Sequence, residues 1–405
     1  MNTRLLDYLR KMVEAKASDF FFSVGAPPSL KIDGVIAPLA EPPLTADVVN
    51  ALALQAMSDK QAREFEDTME MNLAIDMADV GRFRVNLYRQ RGNPAMAIRF
   101  ITNRIPTLQE LNLPAMLHDL ALVPRGLVLV VGAAGSGKST TLASMIDHLN
   151  TQQAVHVLTV EDPIEYIHAH KCSIVDQREV GLDTKSYGNA LRNTMREAPD
   201  VLMIGEIRDQ ETMQAAIAYA ETGHLCLATL HANNANQTLD RIVNFFPDSA
   251  HHQVFVDLSL NLKAVISQRL LRGVDGRRVP AVEILLWSPF VAELIEKGEI
   301  ANIRDAMKQS FELGMLTFDE SIYRLYAAGR ISYDEAMDNA DSRTDLGLRI
   351  RLEGPHPPSG HRDDLSAARI DGLGMDGRPE SAEQASQREA IFGSGASAPP
   401  QGKAP

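Results

Sequence analysis

Leu127-Val128-Leu129-Val130-Val131-Gly132-Ala133-Ala134-Gly135-Ser136-Gly137-Lys138-Ser139-Thr140 is the stretch on which the architecture turns. Five apolar residues in a row suit a strand buried on both faces. The next nine satisfy G-x-x-x-x-G-K-[ST], and a helical pattern then runs to about Leu149. The glycines allow the backbone to curl so that successive N–H groups converge on phosphate oxygens. The helix start adds the positive end of its dipole. Gly132, Ala133, Ala134, Gly135, Ser136, Gly137, Lys138, Ser139 and Thr140 are therefore the candidate nucleotide-binding residues. Lys138 is expected to bridge the β- and γ-phosphates of ATP, and Ser139 to ligate Mg²⁺.

Beyond this loop, short β-branched runs alternate with helical stretches: Val155–Val160, Val201–Ile204, a helix near Glu211–Ala220, then Leu225–Leu230. That alternation predicts an α/β fold with a parallel sheet and helices on its faces. In such a sheet, functional side chains gather at the C-terminal strand ends, beside the phosphate crevice. Asp200–Asp209 reads as an apolar strand ending in an acid, so Glu206 is the expected partner of the Mg²⁺ water shell. Thr159–Tyr166 puts Glu161, Asp162 and Glu165 within five residues. Like charges so close are costly unless a cation or water network uses them. Either Glu161 or Glu165 is the candidate for polarising the attacking water. His231 follows another strand and His224 precedes it; either can reach a γ-phosphate and report its presence.

Residues 1–100 read as a small α+β domain. Leu5, Leu6, Leu9, Met12 and Val13 recur at helical spacing, and Asp33-Gly34 suits a hairpin turn. Thr45 can cap a helix running to about Met57. Phe83, Val85 and Leu87 face one way along a strand, with Arg82, Arg84 and Asn86 on the other. Residues 101–120, with Pro106 and Pro114, read as a linker. The ATPase domain spans 121–350, its part from 255 to 350 read as a mostly helical subdomain. Residues 351–405 hold 8 of the 26 glycines and 7 of the 21 prolines, and this enrichment predicts a disordered tail.

The 405 residues carry 53 acidic against 40 basic side chains, a net −13. Broad nucleic-acid binding needs clustered cations, and no basic stripe interleaved with aromatics is present. Cys172 and Cys226 stand far apart in no metal-binding pattern, which suits a reducing compartment. The opening residues contain no signal-peptide core, and no apolar run approaches the roughly 20 residues that span a bilayer. These features predict a cytoplasmic protein without direct membrane insertion.

The P-loop, TVEDPIEY, GEIRD and ETGHLCLATLHANNA occur in the order of the secretion-superfamily ATPases, the motors of type II secretion and type IV pili, which the chain resembles from about residue 1 to 350. It opens directly on the small domain, as the PilT/PilU-type retraction ATPases do. SDFFFSVGAPPSLKIDG, QREVGLDT and HLCLATLHANNANQTLDRIVNFFP look most like the accessory PilU branch. Phe290–Lys297 occupies the place of the AIRNLIRE motif of PilT but lacks its first arginine and ends in Lys.

The resemblance implies a PAS-like N-terminal domain, a RecA-like P-loop domain and a hexamer. It gives water activation and Mg²⁺ to Glu161, Glu165 and Glu206, and the two family histidines to His224 and His231. It also implies that Arg82 and Arg84 reach the nucleotide of a neighbouring subunit. The implied partners are a PilT-like paralogue and an inner-membrane pilus platform protein, with recruitment to the cytoplasmic face of that membrane. The other readings are a principal retraction motor, a nucleic-acid translocase on the same core, and a weakly active regulatory subunit.

Overall fold

The computed structural model describes residues 3–353 except 33, 78–79 and 102–103. The expected tail beyond residue 353, and Asp33 of the expected turn, lie outside the described residues. Residues up to Asp341 form one compact unit containing two sheets.

The first sheet belongs to the small domain. Its elements run α1 (Thr3–Glu14), β1 (Asp19–Phe22), β2 (Ser29–Ile32), β3 (Val35–Pro38), α2 (Ala46–Ala56), α3 (Asp59–Thr68), β4 (Glu70–Met77), β5 (Gly81–Gln90) and β6 (Asn93–Ile101). Six antiparallel strands lie in the order β3-β2-β1-β6-β5-β4. One sheet face is apolar: Phe83, Val85 and Leu87 of β5 are fully buried against Leu5, Leu9 and Met12 of α1 and Val49 and Leu52 of α2. Thr45 caps α2, its hydroxyl accepting from Val48 N, a contact worth about 1 kcal/mol. The other face of β5 carries Arg82 and Arg84.

The chain continues through α4 (Met116–Ala121), β7 (Gly126–Val131), α5 (Lys138–Gln152), β8 (His156–Glu161), β9 (Ile174–Glu179), α6 (Tyr187–Thr194), β10 (Val201–Ile207), α7 (Gln210–Glu221), β11 (Leu225–Leu230), α8 (Ala235–Val243), α9 (His251–Asn261), β12 (Leu262–Arg272), β13 (Arg278–Leu286), α10 (Pro289–Glu296), α11 (Ile303–Gln309), α12 (Phe318–Ala327) and α13 (Tyr333–Asn339). The seven-stranded sheet has the order β13-β12-β7-β11-β10-β8-β9. All its pairings are parallel except the antiparallel β12–β13 edge. Every residue of β7 and β11 is buried. Leu127, Leu129 and Val131 enter the core on one face, Val128 and Val130 that on the other.

One segment differs from the sequence reading. Residues 262–286, within the stretch read as mostly helical, are the β12–β13 hairpin. Ala264–Ser267 is buried on both faces, so the period of two that marks a half-exposed strand is missing. Residues 104–121 pack closely: Leu108, Leu113 and Leu117 are buried beside Leu142 and Met145 of α5, and Ser144 Oγ donates to Pro106 O at 2.6 Å. In the second unit, which starts at Ser342, the described residues contain one helix, α14 (Arg343–Glu353).

Candidate active site

The loop between β7 and α5 lies where the central strand meets a helix start. Gly132, Gly135 and Gly137 have φ values of 154°, 74° and 91°, and Gly137 is the N-cap of α5. A Cβ on Gly132 would lie 2.4 Å from Ser136 Oγ and 2.5 Å from Gln268 O, so only glycine fits. Lys138 is buried, with Nζ donating to Gly132 O at 3.0 Å and Ala133 O at 2.9 Å. Burial pushes its pKa down, while the charges of Glu206 and Glu165 pull it back up.

The strand-tip acids share one cleft of about 250 Å³ with Lys138 and Ser139. Glu161, at the end of β8, is buried; its Oε1 accepts from Thr159 Oγ1 at 2.7 Å and Gln177 Nε2 at 3.0 Å. Burial pushes its carboxyl up to about 7, against those two hydrogen bonds. Glu165 lies at the same cleft but is exposed. Gly205 lets β10 approach β8: a Cβ there would sit 3.1 Å from Glu161 Cα and from the Tyr187 hydroxyl.

Glu206 follows Gly205, where the pairing of β10 with β11 shifts between Ile204 and Ile207. Its two oxygens are engaged by different side chains, Oε1 2.8 Å from His231 Nε2 and Oε2 2.5 Å from Arg208 Nε. On the other side of the His231 ring, Nδ1 lies 3.3 Å from Gly132 O and 3.5 Å from Lys138 Nζ. His231 therefore joins the strand-end acid to the start of the phosphate loop. Which ring nitrogen donates and which accepts follows from the tautomer.

Ser139 and Glu206 both line this cleft, an all-oxygen pair suited to a hard divalent cation. Among the described residues no group of three or more His, Cys, Asp or Glu side chains could hold a metal.

One expected residue is placed differently. His224 is not in the cleft. It stands before β11, at the opposite end of a six-residue strand, about 20 Å from His231. Its ring lies 4.9 Å from that of Tyr219, and its Nδ1 is 3.1 Å from Thr222 Oγ1. Arg82 and Arg84, expected at the nucleotide of a neighbouring subunit, lie outside the cleft of their own chain. Arg82 reaches Asp76 at 3.5 Å and Glu179 of its own chain at 4.0 Å. Burial raises the pKa of Glu179, whereas an accepted hydrogen bond from Ile164 N and the charges of Arg82 and Arg84 lower it. Arg82 thus meets the loop that carries Glu161 and Glu165 through one intervening carboxylate.

Sequence reasoning missed Arg208, although its GEIRD segment was in view. Arg208 pairs with Glu206 and, at 3.4 Å, with Asp162. It also missed Gln177, whose strand β9 has too little periodicity to signal.

A phosphate loop opening a helix, beside acids at the tips of parallel strands, defines a P-loop ATPase. The chain belongs to the Type II/IV secretion system protein family, whose model matches residues 3–297. It is 52% identical to the type IV pilus ATPase PilU of Pseudomonas aeruginosa over 85% of this chain and 90% of that one. It is 42% identical to the type IV pilus retraction ATPase PilT of the same organism, covering 80% and 94% respectively. The crystal structure of the pilus retraction motor PilT with bound ADP superposes with a TM-score of 0.80 at 41% identity, covering 85% of this chain and 98% of that one. No helix among the described residues is long and apolar enough to cross a membrane.

Proposed function

We propose that the chain is an ATP-hydrolysing motor subunit of the type IV pilus machinery, acting as a PilU-like accessory in pilus retraction and twitching motility. The observation that carries this reading is the convergence of Lys138, Glu206, His231 and the acids of residues 161–165 on one cleft. The higher identity to PilU than to PilT supports the accessory branch.

In this mechanism the phosphates of ATP lie in the amide cradle of residues 132–140. Lys138 Nζ exchanges its loop carbonyls for β- and γ-phosphate oxygens. Ser139 and Glu206 would hold Mg²⁺, which would neutralise charge on the phosphates when bound. Glu165, exposed at the cleft, orients water for in-line attack on the γ-phosphorus. The β–γ bridge bond breaks, giving ADP and phosphate, and the proton of the water leaves through a carboxylate. Glu161, held through one oxygen, shapes the acidic loop behind it. His231 meets the terminal phosphate and passes its presence to Gly132 and Glu206.

The subunits form a hexameric ring, with the small domain of one closing on the nucleotide of another. Arg82 and Arg84 exchange Glu179 for that nucleotide as the ring closes. Repetition around the ring moves an inner-membrane platform protein, beside a PilT-like paralogue, at the cytoplasmic face. The domains are a PAS-like unit (1–100), a connecting segment (101–120) and the ATPase domain (121–350).

Lys138→Ala is expected to lower ATP turnover at least about a hundredfold, because the moving phosphoryl charge loses its cation. Turnover equal to the parent in contaminant-free protein would reject the assignment. Neither DNA nor RNA is expected to stimulate the parent, and stimulation would favour a translocase.

A further inference from the structure

The β12–β13 hairpin does more than extend the sheet. Ser267 pairs with Val131, so the next residue, Gln268, lies beside the first turn of the phosphate loop. Gln268 is buried, and its Oε1 accepts from Thr141 Oγ1 at 2.7 Å. Thr141 is fully buried in the first turn of α5, and its N–H donates to Gly137 O. The same glutamine meets both ends of the loop. Its backbone oxygen occupies the space a Cβ on Gly132 would need, at 2.5 Å, and its Nε2 that of a Cβ on Gly137, at 2.8 Å.

We propose that Gln268 is a positioning residue for nucleotide binding, fixing the pitch of the phosphate loop against α5 through the hydroxyl of Thr141. The inference rests on the nucleotide reading of the cleft. A phosphate cradle works only if its N–H groups point at one centre. A hydrogen bond between two buried side chains fixes direction in a way that apolar contact does not.

The two-partner geometry supplies the test. Gln268→Leu leaves the Thr141 hydroxyl buried without its acceptor, so the variant loses both stability and loop geometry. In Gln268→Leu/Thr141→Val both polar groups are gone, and stability returns close to that of the parent. Binding of a fluorescent N-methylanthraniloyl ADP with Mg²⁺ and the urea midpoint of nucleotide-free protein are measured on the full chain. The expected result is Kd raised about tenfold in both variants, with the midpoint lowered only in the single one. Thr141→Ser, which keeps the hydroxyl, is expected to bind within about twofold of the parent. A double variant that recovers parental Kd along with its midpoint would reduce Gln268 to a packing role and overturn the proposal. Should Gln268→Leu fail to fold, the double variant and Thr141→Ser decide alone. If the parent itself takes up no nucleotide, the reading of the cleft fails and this inference falls with it; a parent that binds beside a variant that binds equally well refutes this inference alone.

Discussion

Glu161→Gln is expected to make the protein more stable and less active at the same time. The Glu161 carboxyl is raised from an ordinary 4.5 to about 7, chiefly by burial. The folded state therefore holds this proton more tightly than the unfolded chain does. Its stabilising contribution is complete below about pH 4.5 and is lost progressively as pH rises through 7. Above that pH the folded protein carries a buried charge, at a cost of roughly 3 kcal/mol. Glutamine keeps an oxygen that can accept from Thr159 and Gln177 and never ionises. Urea unfolding at pH 5 and pH 8 checks this. The parent should lose up to roughly 3 kcal/mol more than the variant between the two. ATP turnover of the variant should fall at pH 8, because the acidic loop that presents Glu165 loses the charge of Glu161 behind it. Equal pH dependence in both proteins would refute the argument from burial. Glu283, also raised to about 7 mainly by burial, stays in both chains and cancels in the comparison.

Gly132→Ala should abolish nucleotide binding, since its Cβ would press on Ser136 and Gln268 at a φ of 154°; isothermal titration with Mg-ADP reads this. His231→Ala should lower kcat by about a hundredfold, the size expected for a lost transition-state donor. Its Mg-ADP affinity should stay close to the parent's, checked by steady-state kinetics beside titration. His224→Ala should leave turnover within about twofold of the parent, because that residue sits at the far end of β11.

Where one local rule decides the outcome, the sequence was readable. Thr45 caps α2 because a hydroxyl before an apolar period is an N-cap signal. Arg82 and Arg84 alternate with Phe83 and Val85 because β5 has one dry face. The phosphate loop was legible because its spacing encodes a backbone shape. The β12–β13 hairpin was not, since a strand covered on both faces shows no alternation. His231 lines the cleft as its place after the strand suggested, whereas His224 does not: the motif gives both a role, but the two ends of a strand lie at opposite ends of the sheet. Gln177 and Gln268 escaped notice because a polar residue that supports another has no pattern of its own.

The strand that leads into the phosphate loop obtains its neighbours from far along the chain. Val128 pairs with Leu227 on one side and Ala264 on the other. During synthesis from the N-terminus, the small domain can therefore fold long before the ATP cleft has all its walls. Until Ser267 and Gln268 emerge, β7 keeps a bare apolar edge, so nascent or truncated chains ending before residue 262 should be prone to edge-to-edge aggregation.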